Sequence, residues 1–438
     1  MIYYLRMAIF CLFISPVIAQ EALILSPESA VKIGLEKNYG IQILRNNERI
    51  AALNNTLGRA GFLPNVGFNS LVNYASNNTE QKFFNGEVRA GNGAGNLTTR
   101  MGLEVNWTAF DGFNMFVERD RLALMEKMSR TETTGQMQTL AAGILAAYYR
   151  LVELERSTEN LRYAVSLDRD ILDLVKNKKK IGTATGLEVL QSQTRLNSDS
   201  ARLVLLENDI SRSRMNFNIL LNLEPNTPFV LDTSFNNALL PSLDELLMRT
   251  RQNHPDLLLS KLQKEQAALR LETVKSSFWP VVTLQAAYNM AFSRSEVGFL
   301  LSNRSNGPFI GLTLRYNIFD GQNRKHDKEI ALVQMENAAL RETDLLTILE
   351  GRIKTKWSDY AALSGLIAME QENLNASRQQ SALARELYRL GKTTNFEVRE
   401  SILQEIQALD RVINAQARVK QVEIEIFNDA GIPLFPIQ

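Results

Sequence analysis

Residues 100–112 read RMGLEVNWTAFDG, and residues 309–321 read FIGLTLRYNIFDG. Both runs alternate and both end on Phe-Asp-Gly. Met101, Leu103, Val105 and Trp107 share one parity, and Arg100, Gly102, Glu104 and Asn106 the other. Ile310, Leu312, Leu314, Tyr316 and Ile318 alternate in the same way with Gly311, Thr313, Arg315 and Asn317. A period of two predicts a strand. Two further segments repeat the pattern: Val66, Phe68, Val72 and Tyr74 against Asn65, Gly67, Asn69 and Asn73, and Val282 through Phe292 against Thr283, Gln285 and Asn289. Strict alternation over about ten residues fits a membrane-barrel strand, apolar toward lipid and polar toward a wet lumen. Arg100, Glu104 and Arg315 favour that reading over a dry sandwich, whose core would bury them at high cost. Tyr74, Trp107, Tyr288 and Tyr316 are the expected interfacial girdle.

The Phe-Asp-Gly runs also expose a duplication. Phe110-Asp111-Gly112 and Phe319-Asp320-Gly321 are offset by 209 positions, as are Gly182 with Glu188-Val189 and Gly391 with Glu397-Val398. Upstream, the stretch from Ala51 to Pro64 matches that from Ala267 to Pro280 at an offset of 216. Such matches in one order are the mark of an internal repeat. The larger upstream offset implies extra loop in the first half, and the Asn/Gly-rich stretch 77–96 is expected to supply it. The repeats span about 26–222 and 242–432, joined by an irregular linker at about 223–241 that contains Pro225, Pro228 and Pro241.

No proline falls between Pro64 and Pro225, or between Pro308 and Pro433, as long uninterrupted helices require. Leu140, Ile144, Ala147, Leu151 and Leu154 form a narrow stripe, with Leu346, Leu349, Ile353, Trp357 and Tyr360 as its counterpart. Spacings of three and four are those of a coiled-coil seam. From each Asp-Gly to the later glycine is 71 positions, so the two helices are expected to be equally long. About 65 residues at 1.5 Å each make roughly 100 Å. Asp111 and Asp320 are expected N-caps, and Gly182 and Gly391 the left-handed closures. The lysine run 176–180 complements the macrodipole at a helix C-terminus. Return helices are expected at about 187–221 and 396–429, and single helices at about 28–61 and 243–277.

Residues 1–19 carry one arginine, an apolar run and small residues before Gln20, which is read as a secretory signal cut after Ala19. The apolar run is shorter than the ~18–20 residues a membrane span needs. Cys11, the only cysteine of the 438 residues, lies inside this segment and is not expected to carry a lipid. The expected mature chain, 20–438, then has neither disulfide nor thiol ligand. A net charge of +1 with interspersed signs argues against a nucleic-acid partner. His254 and His326 are isolated, so no metal site, cofactor or enzymatic centre is expected.

Four strands cannot close a barrel, and an open sheet edge is not tolerated in lipid. Two copies would give eight strands with little passage, and three would give twelve with an open lumen. A secreted coiled-coil structural or adhesin-like protein is the rival, explaining the helices but not the strands.

Helix, hairpin, Asp-Gly, long helix, glycine tip and return helix, twice over, resemble the TolC-like outer-membrane efflux protein family. The family's Tyr-x-x-Gly tip stands here as Tyr388-Arg389-Leu390-Gly391, while the first half has Lys179 at the tyrosine position. The resemblance implies a mainly α protomer with membrane β-strands, trimerising into a twelve-stranded β-barrel continued by a long-helix α-barrel. It implies an exit duct from outer membrane into periplasm, serving a tripartite efflux or type I secretion system through a periplasmic adaptor and an inner-membrane pump. Gly182, Thr183, Gly391 and Lys392 would be the adaptor-docking tips. Glu397, Glu400, Glu188 and Tyr388 would form the periplasmic gate. Glu397 and Glu400 share one helix face, so three copies would make two acidic rings. Thr393 replaces the family's gate arginine, leaving Arg385, Arg389 or Arg399 to hold neighbouring helices.

Overall fold

The computed structural model describes residues 23–235 and 240–434. The signal segment with Cys11 and the expected cleavage at Gln20 lie outside the described residues. The element order is β1 (Leu23–Leu25), α1 (Pro27–Lys37), α2 (Tyr39–Asn54), β2 (Asn65–Lys82), β3 (Val88–Phe110), α3 (Asn114–Lys180), α4 (Gly186–Leu220), β4 (Phe229–Leu231), α5 (Leu243–Asn253), α6 (Pro255–Ser276), β5 (Val281–Ser295), β6 (Ser302–Arg315), α7 (Asn323–Arg389) and α8 (Asn395–Asp429).

The duplication is seen in matching element lengths, although α2 and α6 differ, at 16 and 22 residues, as do the hairpins. α3 and α7 each have 67 residues, α4 and α8 each have 35, and α1 and α5 each have 11. Their ends are built alike. Gly182 and Gly391 take positive φ; the Gly182 and Thr183 N–H groups donate to the Lys179 and Lys178 carbonyls, and those of Gly391 and Lys392 to the Tyr388 and Leu387 carbonyls, the two hydrogen bonds of a Schellman stop. Thr185 and Thr394 then start α4 and α8 with full capping boxes to Glu188 and Glu397.

Four expectations about local structure are corrected. The segments 28–61 and 243–277 are not single helices, because each breaks after eleven residues, at Asn38 and at His254. Both take extended backbone and cap the next helix, Asn38 Oδ1 accepting from Ile41 and His254 Nδ1 from Asp256. Pro255 enforces the second break, since it excludes helical geometry at the preceding residue. The 77–96 stretch is not a loop. β2 and β3 run through it to a tip at 83–87, closed by Phe83 N–H on the Glu87 carbonyl and Gly86 N–H on the Phe83 carbonyl. The linker holds a strand: β4 pairs in parallel with β1, Leu23 to Phe229 and Leu25 to Leu231. Asp111 and Asp320 do hold helix starts, accepting from Met115 and Arg324 N–H groups at 3.1 Å. The cap positions proper are Phe113 and Gln322, both left-handed.

The core lies at the waist of the molecule. Leu25, Val31, Ile144, Tyr148, Leu151, Phe217, Leu221 and Phe229 bury one another where α1, α3, α4 and the β1–β4 pair meet. The Tyr148 hydroxyl donates to the Leu25 and Asp232 carbonyls and accepts from the Asp232 N–H. A second, smaller cluster of Leu246, Ile353, Ile426 and Ala430 occupies the matching place in the other repeat.

Candidate channel wall and periplasmic tip

The four long strands form one antiparallel sheet in the order β2-β3-β5-β6. Register aligns the apolar parities into rows. Val66, Val105, Ala286 and Ile310 make one, and Phe68, Leu103, Tyr288 and Pro308 the next. These side chains lie open: Phe68 is 66% exposed, Leu312 70% and Ile310 77%. Along β5 the apolar parity runs from Val282 to Phe292, which already faces Arg304, and the next pair is Arg294 with Ser302. Ten residues at ~3.3 Å, tilted by about 40°, give a band of about 25 Å. That is the height of a lipid-facing barrel wall. The other parity is mostly polar or small, with Leu71 and Phe309 among its large apolar members. Glu104 accepts from the Asn69 amide at 3.1 Å and the Asn106 amide at 2.8 Å. β2 and β6 are edge strands, with no partner on their outer sides among the described residues.

The register separates the girdle residues. Trp107 sits at the helical end of the band, its Nε1–H donating to the Phe62 carbonyl at 2.9 Å. Tyr316 lies just beyond β6, exposed at the same end. Tyr74 pairs with Leu97, level with Arg294, at the far rim. Tyr288 is corrected: it falls at mid-height, opposite Leu103 and Pro308, where its hydroxyl accepts from the Asn306 amide. Strand length alone did not reveal this, because only pairing fixes height. The sequence reading also missed Phe62, Phe113, Phe116 and Trp279. They join the lower belt through edge-to-face contacts at 5.0 Å (Phe62–Phe116) and 6.3 Å (Phe113–Trp279). Each stands next to a turn rather than in an alternating run, so no periodicity marks it.

At the opposite end α3 meets α4 and α7 meets α8 in the two glycine turns. A tip cluster of Leu161, Leu167, Ile171, Val175, Tyr388, Val398 and Ile402 ties the two hairpins together. Tyr388 is buried inside it. Lys178 reaches across from α3, its ammonium 3.8 Å from the Tyr388 ring centre and donating to the Tyr388 carbonyl. The macrodipole is thus only part of the role of the lysine run; one of its members is a cross-repeat bolt. A second bridge runs from Arg399 on α8 to Gln191 on α4 at 3.3 Å. Arg385 turns to its own helix at the Ser381 carbonyl, and Arg389 lies 3.8 Å from Glu386.

The four acidic and aromatic gate candidates therefore sit differently. Glu188 is half-buried and Glu397 exposed, and each has a carboxylate oxygen engaged by its capping threonine. Glu400, also exposed, accepts from Gln404 at 3.2 Å. At the turns, Gly182, Thr183, Gly391 and Lys392 are flanked by exposed Ile181, Leu187, Leu390 and Phe396. Ile181 and Leu390 are repeat equivalents, as are Leu187 and Phe396. These apolar side chains break no pattern in the sequence and emerge only when the turns are seen to protrude.

Higher on the same hairpin, Asp168 (α3) and Asp199 (α4) are buried around Arg195, which lies 3.6 Å from the first and 3.3 Å from the second. Burial pushes the Asp168 carboxyl up to about 7, opposed by Arg195 and reinforced by Asp199. His254 is buried as a helix cap, and burial lowers its pKa. Among the described residues no group of His, Cys, Asp and Glu is placed to hold a metal. No helix among them is long and apolar enough to cross a membrane.

The sequence profile of the family described as outer membrane efflux protein matches residues 35–222 and 246–431, one match per repeat. The chain is similar to the pyoverdine export outer membrane protein OpmQ of Pseudomonas aeruginosa, at 22% identity over 303 residues. That match covers 67% of this chain and 61% of OpmQ, so the chain spans less than two thirds of this relative. It is also similar to the toluene efflux pump outer membrane protein TtgF of Pseudomonas putida, at 21% identity over 41% of this chain and 38% of TtgF. In three dimensions it resembles VceC of Vibrio cholerae (TM-score 0.74, 15% identity, 92% of this chain and 95% of that one). It resembles CusC to a similar degree (TM-score 0.75, 13% identity, 94% and 93%).

Proposed function

The chain belongs to the outer membrane efflux protein family, and on that premise we propose that it is the outer-membrane exit duct of an efflux or secretion assembly. The observation that carries the proposal is the sheet. One face is apolar and exposed over about 25 Å, the other is mostly polar, and both edges are open among the described residues. A secreted coiled-coil rod gives no reason for such a face. Open edges in lipid require closure by further copies, and three copies give twelve strands with a lumen. The helices continue the wall into the periplasm for roughly 100 Å, ending in the glycine turns.

The duct is passive and not an enzyme. An adaptor would dock on the turns through Gly182, Thr183, Gly391 and Lys392 and the apolar Ile181, Leu187, Leu390 and Phe396, and an inner-membrane pump would feed it. Glu397 and Glu400 would line the mouth in acidic rings, supported by their exposure. Tyr388, being buried, would act by positioning the hairpins. Native mass spectrometry in detergent tests the proposal. The expected species is a trimer of the chain, insoluble without detergent; a folded monomer stable in aqueous buffer would overturn it.

A further inference from the structure

α6 packs against α3 on one side and α7 on the other. A groove of about 800 Å³ crosses all three helices just below the strand end of the wall. Its α6 residues, Gln263, Gln266, Arg270 and Thr273, recur at helical spacing on one face. A second groove touches only α6 and α7, and its α6 residues, Lys261, Lys264, Glu265 and Ala268, lie on the opposite side of the helix. Three consecutive staves of a tube are concave only toward its axis. The three-helix groove is therefore the lumenal surface, and the two-helix groove is the outside. This assignment rests on the duct reading above.

The lumenal groove is basic. It contains Arg121, Arg270 and Arg341 against a single acid, Glu118. Arg121 and Glu118 neutralise each other through two bonds of 2.7 and 2.5 Å. Arg270 and Arg341, both exposed, make no hydrogen bond or ion pair among the described residues. The other polar groups facing them are neutral amides, among them Gln334 and Asn337. Lys264 on the outer side, by contrast, is paired with Glu342 at 3.1 Å. Two unpaired guanidiniums beside amide donors form a receptor for carboxylate or phosphate oxygens, which planar guanidinium forks recognise in pairs. Each lumen of three copies would carry six such arginines. Rings of arginine select anions in pores.

We propose that Arg270 and Arg341 form an anion-binding vestibule in the upper lumen, and that the cargo this duct favours is anionic, carrying carboxylate or phosphate groups. Cargo entering past an acidic mouth would then meet a basic section before leaving.

The test uses the full-length protein in detergent and in planar bilayers, with citrate as the anionic probe. Calorimetry on the solubilised protein should detect citrate binding, and Arg270→Gln with Arg341→Gln should weaken it by about tenfold or more. In a potassium chloride gradient the same double variant should move the reversal potential toward cation preference. Lys261→Gln with Lys264→Gln, the same charge change on the outer face, should alter neither. Citrate binding that is absent, or equal in all three proteins, overturns the proposal, as does a shift of equal size from the outer pair. Because binding is read without conduction, a protein that binds citrate through these arginines but never forms a pore in bilayers, even as Lys178→Met, would sink the duct reading and with it the lumenal placement, and leave only the anion site on Arg270 and Arg341 standing.

Discussion

The contact of Lys178 with Tyr388 is the tip feature whose energetic weight can be worked most directly. Lys178→Met removes the ammonium and keeps the stem, so packing on the ring is largely preserved. A cation over an aromatic face contributes about 0.5–1 kcal/mol at exposed sites and about 2 when desolvated. A hydrogen bond from a charged donor adds about 1.5–3 kcal/mol where it is shielded. Lys178 is half-buried, so the low end of both ranges applies, giving about 2 kcal/mol per protomer. If opening parts α3 from α7 at the tip, the variant should shift each protomer's closed-to-open ratio by about 30-fold. Three protomers opening together would multiply that effect. Single-channel recording reads open occupancy directly. Lys179→Met serves as control, since Lys179 is exposed and its side chain has no bonded partner among the described residues. The wild-type pore should rest mostly closed, Lys178→Met should open often, and Lys179→Met should behave as wild type. Equal occupancy in Lys178→Met and wild type would refute the argument, and would mean that the tip opens without separating these two helices.

Two further predictions use the repeat and the buried acids. Gly112 and Gly321 have nearly identical φ values of 71° and 72°, so alanine meets the same left-handed penalty of about 1–2 kcal/mol at each. A Cβ on Gly112 would also lie 2.3 Å from the Ser276 carbonyl oxygen, while the nearest atom to one on Gly321 is 3.9 Å away. Gly112→Ala should therefore lower the thermal midpoint well beyond Gly321→Ala in scanning calorimetry; equal losses would contradict the backbone contact. Asp168, raised to about 7 from an ordinary 3.8, binds its proton more tightly folded than unfolded. The folded protein thus loses relative stability as pH rises from about 4 to 7, and the loss is complete above 7. Asp168→Asn should be more stable than wild type at pH 8, by on the order of 1–3 kcal/mol, with the gain gone by about pH 4. A gain independent of pH would show that ionisation of Asp168 is not the cause.

Much of this architecture was readable because it follows from periodicities that one chain displays by itself. The strand alternation, the proline-free runs and the 209-residue offset placed both long helices to within a residue or two. The failures share a cause. Asn38 and His254 break helices inside otherwise helical patterns, because capping geometry overrides propensity at a single residue. The 77–96 stretch lacked alternation because it lies beyond the apolar rows and carries a bulge between Asn77 and Thr79, although most of its backbone is paired. Tyr288 was misplaced in height because register is a property of two strands and not of one. Lys178 was missed because its partner lies 210 positions away in the other repeat.

The repeat itself separates what holds the tube from what gives it selectivity. Two hairpins that cross the same height must have equal lengths, so the caps, stops and turns recur at fixed offsets: Thr185 with Thr394, Gly182 with Gly391, Asn222 with Gly431. No such constraint binds the side chains that line the three-helix groove or cross the hairpin interface. There the halves diverge. Arg341 corresponds to Glu132, and Arg270 to Asn54 at the upstream offset. Tyr388 corresponds to Lys179, and the buried pair Asp168 and Asp199 to Ser377 and Ala408, neither of which can ionise. A trimer of such chains therefore has a wall that repeats six times and charged features that repeat only three times. The unpaired arginines and the buried acids each belong to one repeat of the two, and the tip bolt joins the repeats through unlike residues, Lys178 and Tyr388. A change of cargo or of gating could then arise by substitution in one repeat while the other, unaltered, continued to hold the geometry of the wall.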